Sequence, residues 1–198
     1  AGANIVVIGR NESKIDSAVN NLKSFGTKVI GITADVSDQN SVESAIRQTI
    51  TKFKNVDILV NNAGISIRAE PQQYSLDQWD QVLDTNLKSI FVCSKTVHPH
   101  MTNNGGGSII NIGSMTSIFG SDWSASYAAS KGGTTQLTKS LAIAWARYGI
   151  RVNCILPGWI DTELTAPIEE LYPERYTLIN QRIPTGRWGT PDDMAGVA

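Results

Sequence analysis

The sequence has 198 residues, of which 41% are hydrophobic and 18% charged, and its formal net charge is −1. These values exclude a disordered chain and are typical of a globular protein that buries a core. They give no electrostatic reason to expect nucleic acid or an anionic membrane as partner. No apolar run reaches membrane-span length, and Cys93 and Cys154 form no CxxC pair. We therefore expect a cytoplasmic protein without a disulfide framework or metal site.

Short apolar, β-branched runs alternate with helix-compatible stretches along the chain. The pattern predicts strands at 5–8, 29–32, 58–60, 109–112 and 152–156. It predicts helices at 12–25, 39–53, 75–102 and 127–148. Several of these strands are too apolar to have a solvent face. The alternation predicts an α/β fold with a doubly wound parallel sheet covered by helices on both faces, as one domain over 1–198.

Small and polar residues follow every predicted strand. They are Gly9-Arg10-Asn11, Ala34-Asp35-Val36, Asn61-Asn62-Ala63-Gly64, Gly113-Ser114 and Pro157-Gly158. Any one of these turns also suits a tight connection from a strand to a helix. Because open parallel sheets bind ligands at their carboxyl edge, five such turns in succession favour a ligand-binding edge.

Tyr127 and Lys131 are four residues apart in a predicted helix, so they share one helix face. An ammonium about 5–6 Å from a phenol favours the phenolate by roughly 3 kcal/mol, or about two pKa units. A tyrosine with a pKa near 8 would exchange a proton with a substrate alkoxide near neutral pH. The motif alone also fits an ordinary helix with an exposed tyrosine.

Ser114 strengthens the functional interpretation, because it ends a predicted strand and precedes Tyr127 by 13 residues. Its hydroxyl can reach the same substrate oxygen. Asn86 lies among apolar neighbours in a long helical stretch, where its amide either disturbs the helix or faces solvent. His98 and His100 have no triad spacing to Ser114, and we expect them at the surface.

These residues resemble the motifs of the short-chain dehydrogenase/reductase family. Ser114 with Tyr127-x-x-x-Lys131 resembles its catalytic signature, and Asn61-Asn62-Ala63-Gly64 its NNAG motif. Asp35-Val36 resembles the pair beside the adenine. Pro157-Gly158 followed by Thr162 resembles the segment that contacts the nicotinamide carboxamide. The motifs occur in order from residue 5 to about 165.

The resemblance implies a Rossmann-like fold and hydride transfer between NAD(P) and a small-molecule substrate. Tyr127 would be the general acid/base. Lys131 would lower the pKa of Tyr127 and hold the nicotinamide ribose. Ser114 would orient the reacting oxygen, and Asn86 would support a water relay. The implied cofactor-binding residues are Arg10, Asn11, Asp35, Val36, Asn62, Ala63, Gly64, Tyr127, Lys131, Pro157, Gly158, Ile160 and Thr162. A homo-oligomer, tetramer or dimer, is implied through helices 75–102 and 127–148.

The family's first strand and its TGxxxGxG phosphate loop have no counterpart in this sequence. The glycines at 105–107 precede a strand, whereas a phosphate loop joins a strand to a helix. We therefore expect an incomplete Rossmann-like domain that lacks the first and last strands of the family sheet. Such a chain would bind a dinucleotide poorly by itself.

The residue after the first predicted strand bears on cofactor choice. An NAD enzyme usually has an acidic side chain there, whereas this sequence has Arg10, which can pair with a 2′-phosphate. NADP is therefore favoured over NAD.

The segment 159–191 resembles the family's variable substrate lid, and Met115 and Trp123 either line the pocket or pack under that lid. The sequences around 157–164 and 182–193 resemble sugar or sugar-acid dehydrogenases and also 3-oxoacyl carrier-protein reductases. A non-catalytic Rossmann-like binding module is the alternative from another functional class.

Overall fold

The computed structural model describes residues 2–197 and confirms the alternating order of strands and helices. The strands are β1 (Ile5–Gly9), β2 (Val29–Thr33), β3 (Ile58–Asn61), β4 (Gly107–Ile112) and β5 (Ile150–Ile155). The helices are α1 (Glu12–Lys23), α2 (Gln39–Phe53), α3 (Leu76–Leu83), α4 (Ser89–Asn103), α5 (Ala125–Trp145), α6 (Pro167–Leu171), α7 (Pro173–Arg182) and α8 (Asp192–Ala195). Short 3₁₀ turns lie at Pro71–Gln73, Met115–Ser117 and Ala146–Tyr148.

All of the strand pairs are parallel, as the sequence predicts. β1 pairs with β2, and β3, β4 and β5 form a second sheet with β4 in the centre. In the described residues no backbone hydrogen bonds join the two sheets. The parallel α/β architecture is confirmed in these two hydrogen-bonded parts.

Side chains of β1 and β2 alternate between two faces, and helices cover both. One face packs against Ile15 and Val19 of α1, and the other packs against Ala45 of α2. This alternation is the period-two geometry of a buried strand. It makes this part of the molecule a three-layer α/β/α structure.

The larger core lies between the second sheet and helices α2, α4 and α5. Its buried members are Val42, Ile46, Val56, Cys93, Val97, Met101, Ile109, Leu141, Ile150 and Val152. Leu59 of β3 packs against this core, but its neighbours Ile58 and Val60 are 57% and 51% exposed. β3 is therefore not one of the strands without a solvent face, because its other face stays largely uncovered in residues 2–197.

The predicted helix 75–102 is divided into three segments. Ser75 and Gln78 form a capping box that starts α3, and a π-helical segment, Asp84–Lys88, separates α3 from α4. The expected helix 127–148 begins at Ala125 and ends in a 3₁₀ turn. Gly133 of α5 faces the π-helical segment, where a Cβ atom would lie 2.7 Å from Leu87 Cδ2. The missing side chain thus lets α5 approach the segment that carries Asn86.

His98 corrects the surface expectation. Its ring stacks against Trp145 and Tyr148, with centroid distances of 4.7 and 5.0 Å, and its Nε2 is buried. The imidazole is an aromatic packing element between α4 and the end of α5. Across residues 2–197, none of the helices has the length and apolar character needed to span a bilayer.

Candidate active site

Backbone hydrogen bonds bring the polar turns together at the carboxyl ends of the strands. Ala34 N donates to Gly9 O at 2.8 Å, which sets the turn after β2 beside the turn after β1. Met115 N donates to Pro157 O at 3.0 Å, which sets the turn after β4 beside the turn after β5. The sequence-predicted residues therefore follow adjacent strands along one edge of each sheet.

Tyr127 and Lys131 share one face of α5, as their spacing predicts. The Lys131 Nζ atom lies 5.5 Å from the centroid of the Tyr127 ring and donates a hydrogen bond to Ile112 O at 2.6 Å. Lys131 is only 3% exposed, and this burial lowers its pKa to about 8. The hydrogen bond to Ile112 O holds the lysine against the end of β4, where Ile112 precedes Ser114 by two residues.

The prediction that the pKa of Tyr127 lies below its usual value is wrong in this structure. Burial raises the pKa of Tyr127 above its usual value, because desolvation penalises the phenolate. The opposing influences, which lower this pKa, come from the Ser114 side chain and from the positive charge of Arg68. The helical spacing thus predicted that Tyr127 and Lys131 are neighbours, but burial decides whether the pKa of Tyr127 rises or falls.

Asn86 is fully buried and lies in the π-helical segment Asp84–Lys88, so the structure excludes its solvent-facing alternative. Its Oδ1 accepts from Ile65 N at 2.8 Å, and its Nδ2 donates to Ile65 O at 2.9 Å and to Ser130 Oγ at 3.1 Å. The amide therefore joins the loop after β3 to α5. Single-turn π-helices are common at functional sites, where they reorient one side chain.

Gly64 borders an open space beside these residues. A Cβ atom at Gly64 would lie 3.5 Å from Asn86 Oδ1 and 3.7 Å from Lys131 Nζ, so both polar atoms face the same point. Asn62 and Ala63 are exposed just before it, at the end of β3. These exposed residues of the loop after β3, with Lys131 Nζ beside them, are the part of the site that we predict to contact a dinucleotide.

Arg10 and Asp35 form the second part of the candidate cofactor site. Arg10 Nη1 lies 4.0 Å from Asp35 Oδ2, and the Arg10 side chain is mostly exposed. Hydrogen bonds from the Ser37 side chain and backbone, with a smaller contribution from Arg10, hold the pKa of Asp35 below its usual range. Asn11 caps α1 by accepting from Lys14 N, and Val36 packs against the larger core. Charged groups thus remain at the surface here, whereas the side chains of Asn11 and Val36 have structural contacts.

The segment after β5 holds the remaining predicted cofactor residues. Gly158 has no neighbour within 4 Å of a Cβ position, and Ile160 forms a parallel bridge with Gly189. Thr162 N donates to Thr165 Oγ1, which in turn donates to Ile160 O. These contacts order the start of the segment predicted to be a lid.

Aromatic and charged side chains attach this segment to the rest of the site. Trp188 stacks near Trp159 and Tyr176, and Tyr172 meets Trp123 edge-on at 5.0 Å. Arg175 of α7 pairs with Asp122 through both carboxylate oxygens, at 3.1 and 2.9 Å. Trp123 therefore packs under the segment, in agreement with one of the two alternatives.

Arg68 is a candidate site residue that the sequence analysis missed. Its guanidinium lies 5.6 Å from the Trp123 ring centroid, donates to Leu164 O at 2.8 Å and acts on the pKa of Tyr127. It follows Gly64 by four residues, and only its position in the NNAG loop could have indicated it. Its contacts lie in segments distant in sequence.

A buried polar chain beneath the site was missed as well. Asn61 Nδ2 donates to Asn111 Oδ1 at 2.8 Å, and Asn111 Nδ2 donates to Thr138 Oγ1 at 2.9 Å. These bonds link β3, β4 and α5 below the edge. The first asparagine of the NNAG motif is thus a structural residue, since it is 8% exposed and points into the core.

Comparisons with known proteins agree with this geometry. The model of the short chain dehydrogenase family matches residues 1–172. The chain is 40% identical over 200 residues to the 2-dehydro-3-deoxy-D-gluconate 5-dehydrogenase of Formosa agariphila. The match covers 100% of this chain and 75% of that protein. It is 37% identical over 197 residues to the 3-oxoacyl-[acyl-carrier-protein] reductase of Chlamydia pneumoniae, with coverage of 100% and 78%.

A solved structure extends the similarity to three dimensions. The crystal structure of a gluconate 5-dehydrogenase from Burkholderia cenocepacia J2315 in complex with NADP and tartrate superposes with a TM-score of 0.91. The identity is 36%, and the match covers 99% of this chain and 76% of that one. The chain therefore belongs to the short-chain dehydrogenase/reductase family and is an NAD(P)-dependent oxidoreductase acting on CH–OH groups.

Proposed function

We propose that the protein interconverts a secondary alcohol and a carbonyl on a sugar acid, with Tyr127 as the general acid/base and NADP as the preferred cofactor. The observation that carries the substrate class is the position of Arg68. Its charge acts on Tyr127, the residue that would touch the reacting oxygen. Arg68 also lies over Trp123 and donates to Leu164 O of the segment 159–191, and a guanidinium in this position favours a substrate with a carboxylate.

Tyr127 would move the proton at the substrate oxygen. In the oxidation direction its phenolate accepts the hydroxyl proton while the hydride leaves the same carbon, and in the reduction direction its phenol donates that proton. The bound nicotinamide supplies the hydride acceptor or donor. Because burial favours the protonated phenol, the charges and donors around Tyr127 must counteract it for oxidation at neutral pH.

Three side chains would support this proton transfer. Ser114 Oγ accepts from Thr116 N at 3.1 Å, which leaves its own proton for the Tyr127 oxygen, whose pKa it lowers, or for a substrate oxygen that replaces it. Lys131 would hold the nicotinamide ribose from its buried position. Asn86 would support a water relay to Lys131, and the orientation of both polar atoms toward Gly64 supports this role.

Arg10 supports the preference for NADP. Its exposed guanidinium lies next to the Asp35 carboxylate, at the edge where the adenine ribose of a dinucleotide would bind. A 2′-phosphate there would gain a charge-assisted hydrogen bond. The related gluconate 5-dehydrogenase from Burkholderia cenocepacia was crystallised with NADP.

The relatives support the sugar-acid assignment as well. The Formosa agariphila protein carries the name of a dehydrogenase for 2-dehydro-3-deoxy-D-gluconate, and a 35% identical protein from Gluconobacter oxydans carries the name gluconate 5-dehydrogenase. Both named substrates are carboxylates with secondary hydroxyl groups. The segment 159–191 would close over such a substrate as a lid. Arg68 contacts this segment through its hydrogen bond to Leu164 O.

Replacing Arg68 tests the substrate class. In the complete protein that contains this sequence, Arg68→Gln should lower kcat/KM for gluconate roughly 10- to 100-fold, since a hydrogen bond to a charged group contributes about 1.5–3 kcal/mol. Turnover of a neutral polyol of the same chain length should fall by less, because that substrate loses only the effect of the Arg68 charge on the pKa of Tyr127. Arg175→Gln is the matched control, because Arg175 also lies over Trp123, at 4.5 Å. Equal losses on both substrates, or preferred turnover of a 3-oxoacyl thioester, would reject the sugar-acid assignment.

Self-association is part of the proposal. Helices α4 and α5 expose Phe91 and Ile143, at 46% and 82%, on the elements through which the family resemblance implies a dimer or tetramer. Phe91→Glu and Ile143→Glu should shift the sedimentation coefficient of the complete protein toward that of a monomer. An unchanged coefficient for both variants would reject these helices as the interface.

A further inference from the structure

Ser117 lies between two of the proposed catalytic residues. It is the last residue of the 3₁₀ turn Met115–Ser117, which begins directly after Ser114. Its Oγ donates to Lys131 O at 2.7 Å and accepts from Ser114 N at 3.3 Å. A single hydroxyl therefore bonds to the main chain of both residues.

The backbone hydrogen bonds of Gly113 and Met115 connect this loop to β5 and the residues after it. Gly113 N donates to Ile155 O at 2.8 Å, and Met115 N donates to Pro157 O at 3.0 Å. They hold the loop to the fifth strand, and the hydrogen bond from Lys131 Nζ to Ile112 O ties α5 to the end of β4, two residues before Ser114. Among the side-chain hydrogen bonds of this turn, the one from Ser117 reaches α5.

Close packing keeps the Ser117 hydroxyl in place. A Cβ atom at Gly113 would lie 3.2 Å from Ser117 Oγ, 2.9 Å from Cys154 Sγ and 2.4 Å from Leu156 Cδ2. The absence of a side chain at Gly113 thus allows the turn to fold back close to β5. A displacement of Ser117 would move the turn as a unit, because Ser114 Oγ also accepts from Thr116 N within it.

We propose that Ser117 is a positioning residue that sets the distance between the Ser114 hydroxyl and the face of α5 that carries Tyr127 and Lys131. This role rests on the function proposed above. In a proton-transfer site, a displacement of about 1 Å can cost roughly 100-fold in rate without loss of binding. Ser117 itself touches neither substrate nor cofactor in this scheme.

Thr135 provides a matched control within the same helix. Its hydroxyl donates to the same carbonyl, Lys131 O, at 3.2 Å, and it is half-buried like Ser117, but its hydrogen bond makes no link to Ser114. Ser117→Ala and Thr135→Val therefore each remove one donor to Lys131 O. Only Ser117→Ala removes the hydroxyl that joins Ser114 N to Lys131 O, and both variants keep the hydrogen bond from Lys131 Nζ to Ile112 O.

The experiment measures kcat and KM for both variants in the complete protein, over a range of pH. Ser117→Ala should lower kcat by roughly 10- to 100-fold while both KM values change by less than about threefold. Its pH profile for oxidation should shift upward, because a displaced Ser114 no longer lowers the pKa of Tyr127. Thr135→Val should keep the wild-type rate and profile.

Equal behaviour of the two variants would overturn the proposal, and so would a loss confined to KM or a Ser117→Ala protein that does not fold. Tyr127→Phe separates this result from a failure of the proposed function. If Tyr127→Phe retains turnover, the mechanism itself is rejected. If Tyr127→Phe is inactive while Ser117→Ala matches Thr135→Val, only the positioning role is rejected.

Discussion

The Asn86 side chain binds both main-chain polar atoms of Ile65, at 2.8 and 2.9 Å, and so fixes the loop after β3 from within the π-helical segment. Asn86→Ala would leave the half-buried N–H and C=O groups of Ile65 without their partner. Each such group costs about 1–3 kcal/mol, so we expect a loss of roughly 2–4 kcal/mol in the free energy of unfolding.

Urea unfolding of the complete protein measures this loss. Ser130→Ala is the control, because it removes the other hydrogen bond of the Asn86 amide and leaves Ile65 paired. The control should cost about 1 kcal/mol. Equal effects of the two substitutions would contradict the importance of the Ile65 contacts.

Burial of Lys131 predicts a pH dependence of stability. Its pKa falls from 10.5 to about 8 in the folded protein, which corresponds to roughly 3 kcal/mol of destabilisation while the lysine is charged. The penalty is complete below pH 8. Between pH 8 and 10.5 the unfolded chain binds more protons than the folded one, so this contribution to stability rises with pH.

Lys131→Met removes the penalty and leaves Ile112 O without its donor, at a cost of about 1 kcal/mol. The variant should therefore be inactive yet more stable than wild type by roughly 2 kcal/mol at pH 7. By pH 10 most of this advantage should be lost. Urea unfolding of both proteins at pH 7 and pH 10 measures this difference in the free energy of unfolding. A difference that does not change with pH would show that Lys131 is not buried in its charged form.

Arg10 should govern cofactor preference. Arg10→Asp places a carboxylate next to Asp35 and would repel a 2′-phosphate, so the ratio of kcat/KM for NADPH to that for NADH should fall roughly 10- to 100-fold. Lys23→Glu changes a charge at the far end of α1 and should leave the ratio unchanged. A wild-type preference for NADH would reject the assignment.

Tyr127→Phe should abolish turnover and leave cofactor binding nearly intact, because it removes only the hydroxyl that exchanges the substrate proton. The two measurements are steady-state activity and a fluorescence titration with NADPH. An inactive variant that also fails to bind NADPH would indicate a structural role for the tyrosine. Retained activity would exclude Tyr127 as the general acid/base.

Local patterns predicted most of the fold and the motif residues. Helix α2 has the predicted bounds, 39–53, because its apolar stripe and the Asp38 cap are both encoded within a few residues. The Tyr127–Lys131 pair shares a face because four residues make about one turn of helix. The sequence left two alternatives for Asn86, a disturbed helix or a solvent-facing amide, and the π-helical segment agrees with the first.

Contacts between distant segments were beyond such patterns. Arg68 bonds to Leu164 O across 96 positions, and no spacing rule connects the two. Ser117 reaches Lys131 O only because the turn after β4 folds back onto α5. Exposure of Ile58 and Val60 likewise depends on which elements cover β3, which its apolar sequence does not encode.

Residue types and their spacing within single elements were enough to predict the family and the parallel α/β order, and they supply the residues to which we assign proton transfer. Only the tertiary structure decided the electrostatics of that site. Burial raises the pKa of Tyr127 and lowers that of Lys131, and Arg68 and Ser114 oppose the change at the phenol. The physical reason is that desolvation depends on everything packed around a charge, whereas the helical spacing of Tyr127 and Lys131 reports only their mutual distance.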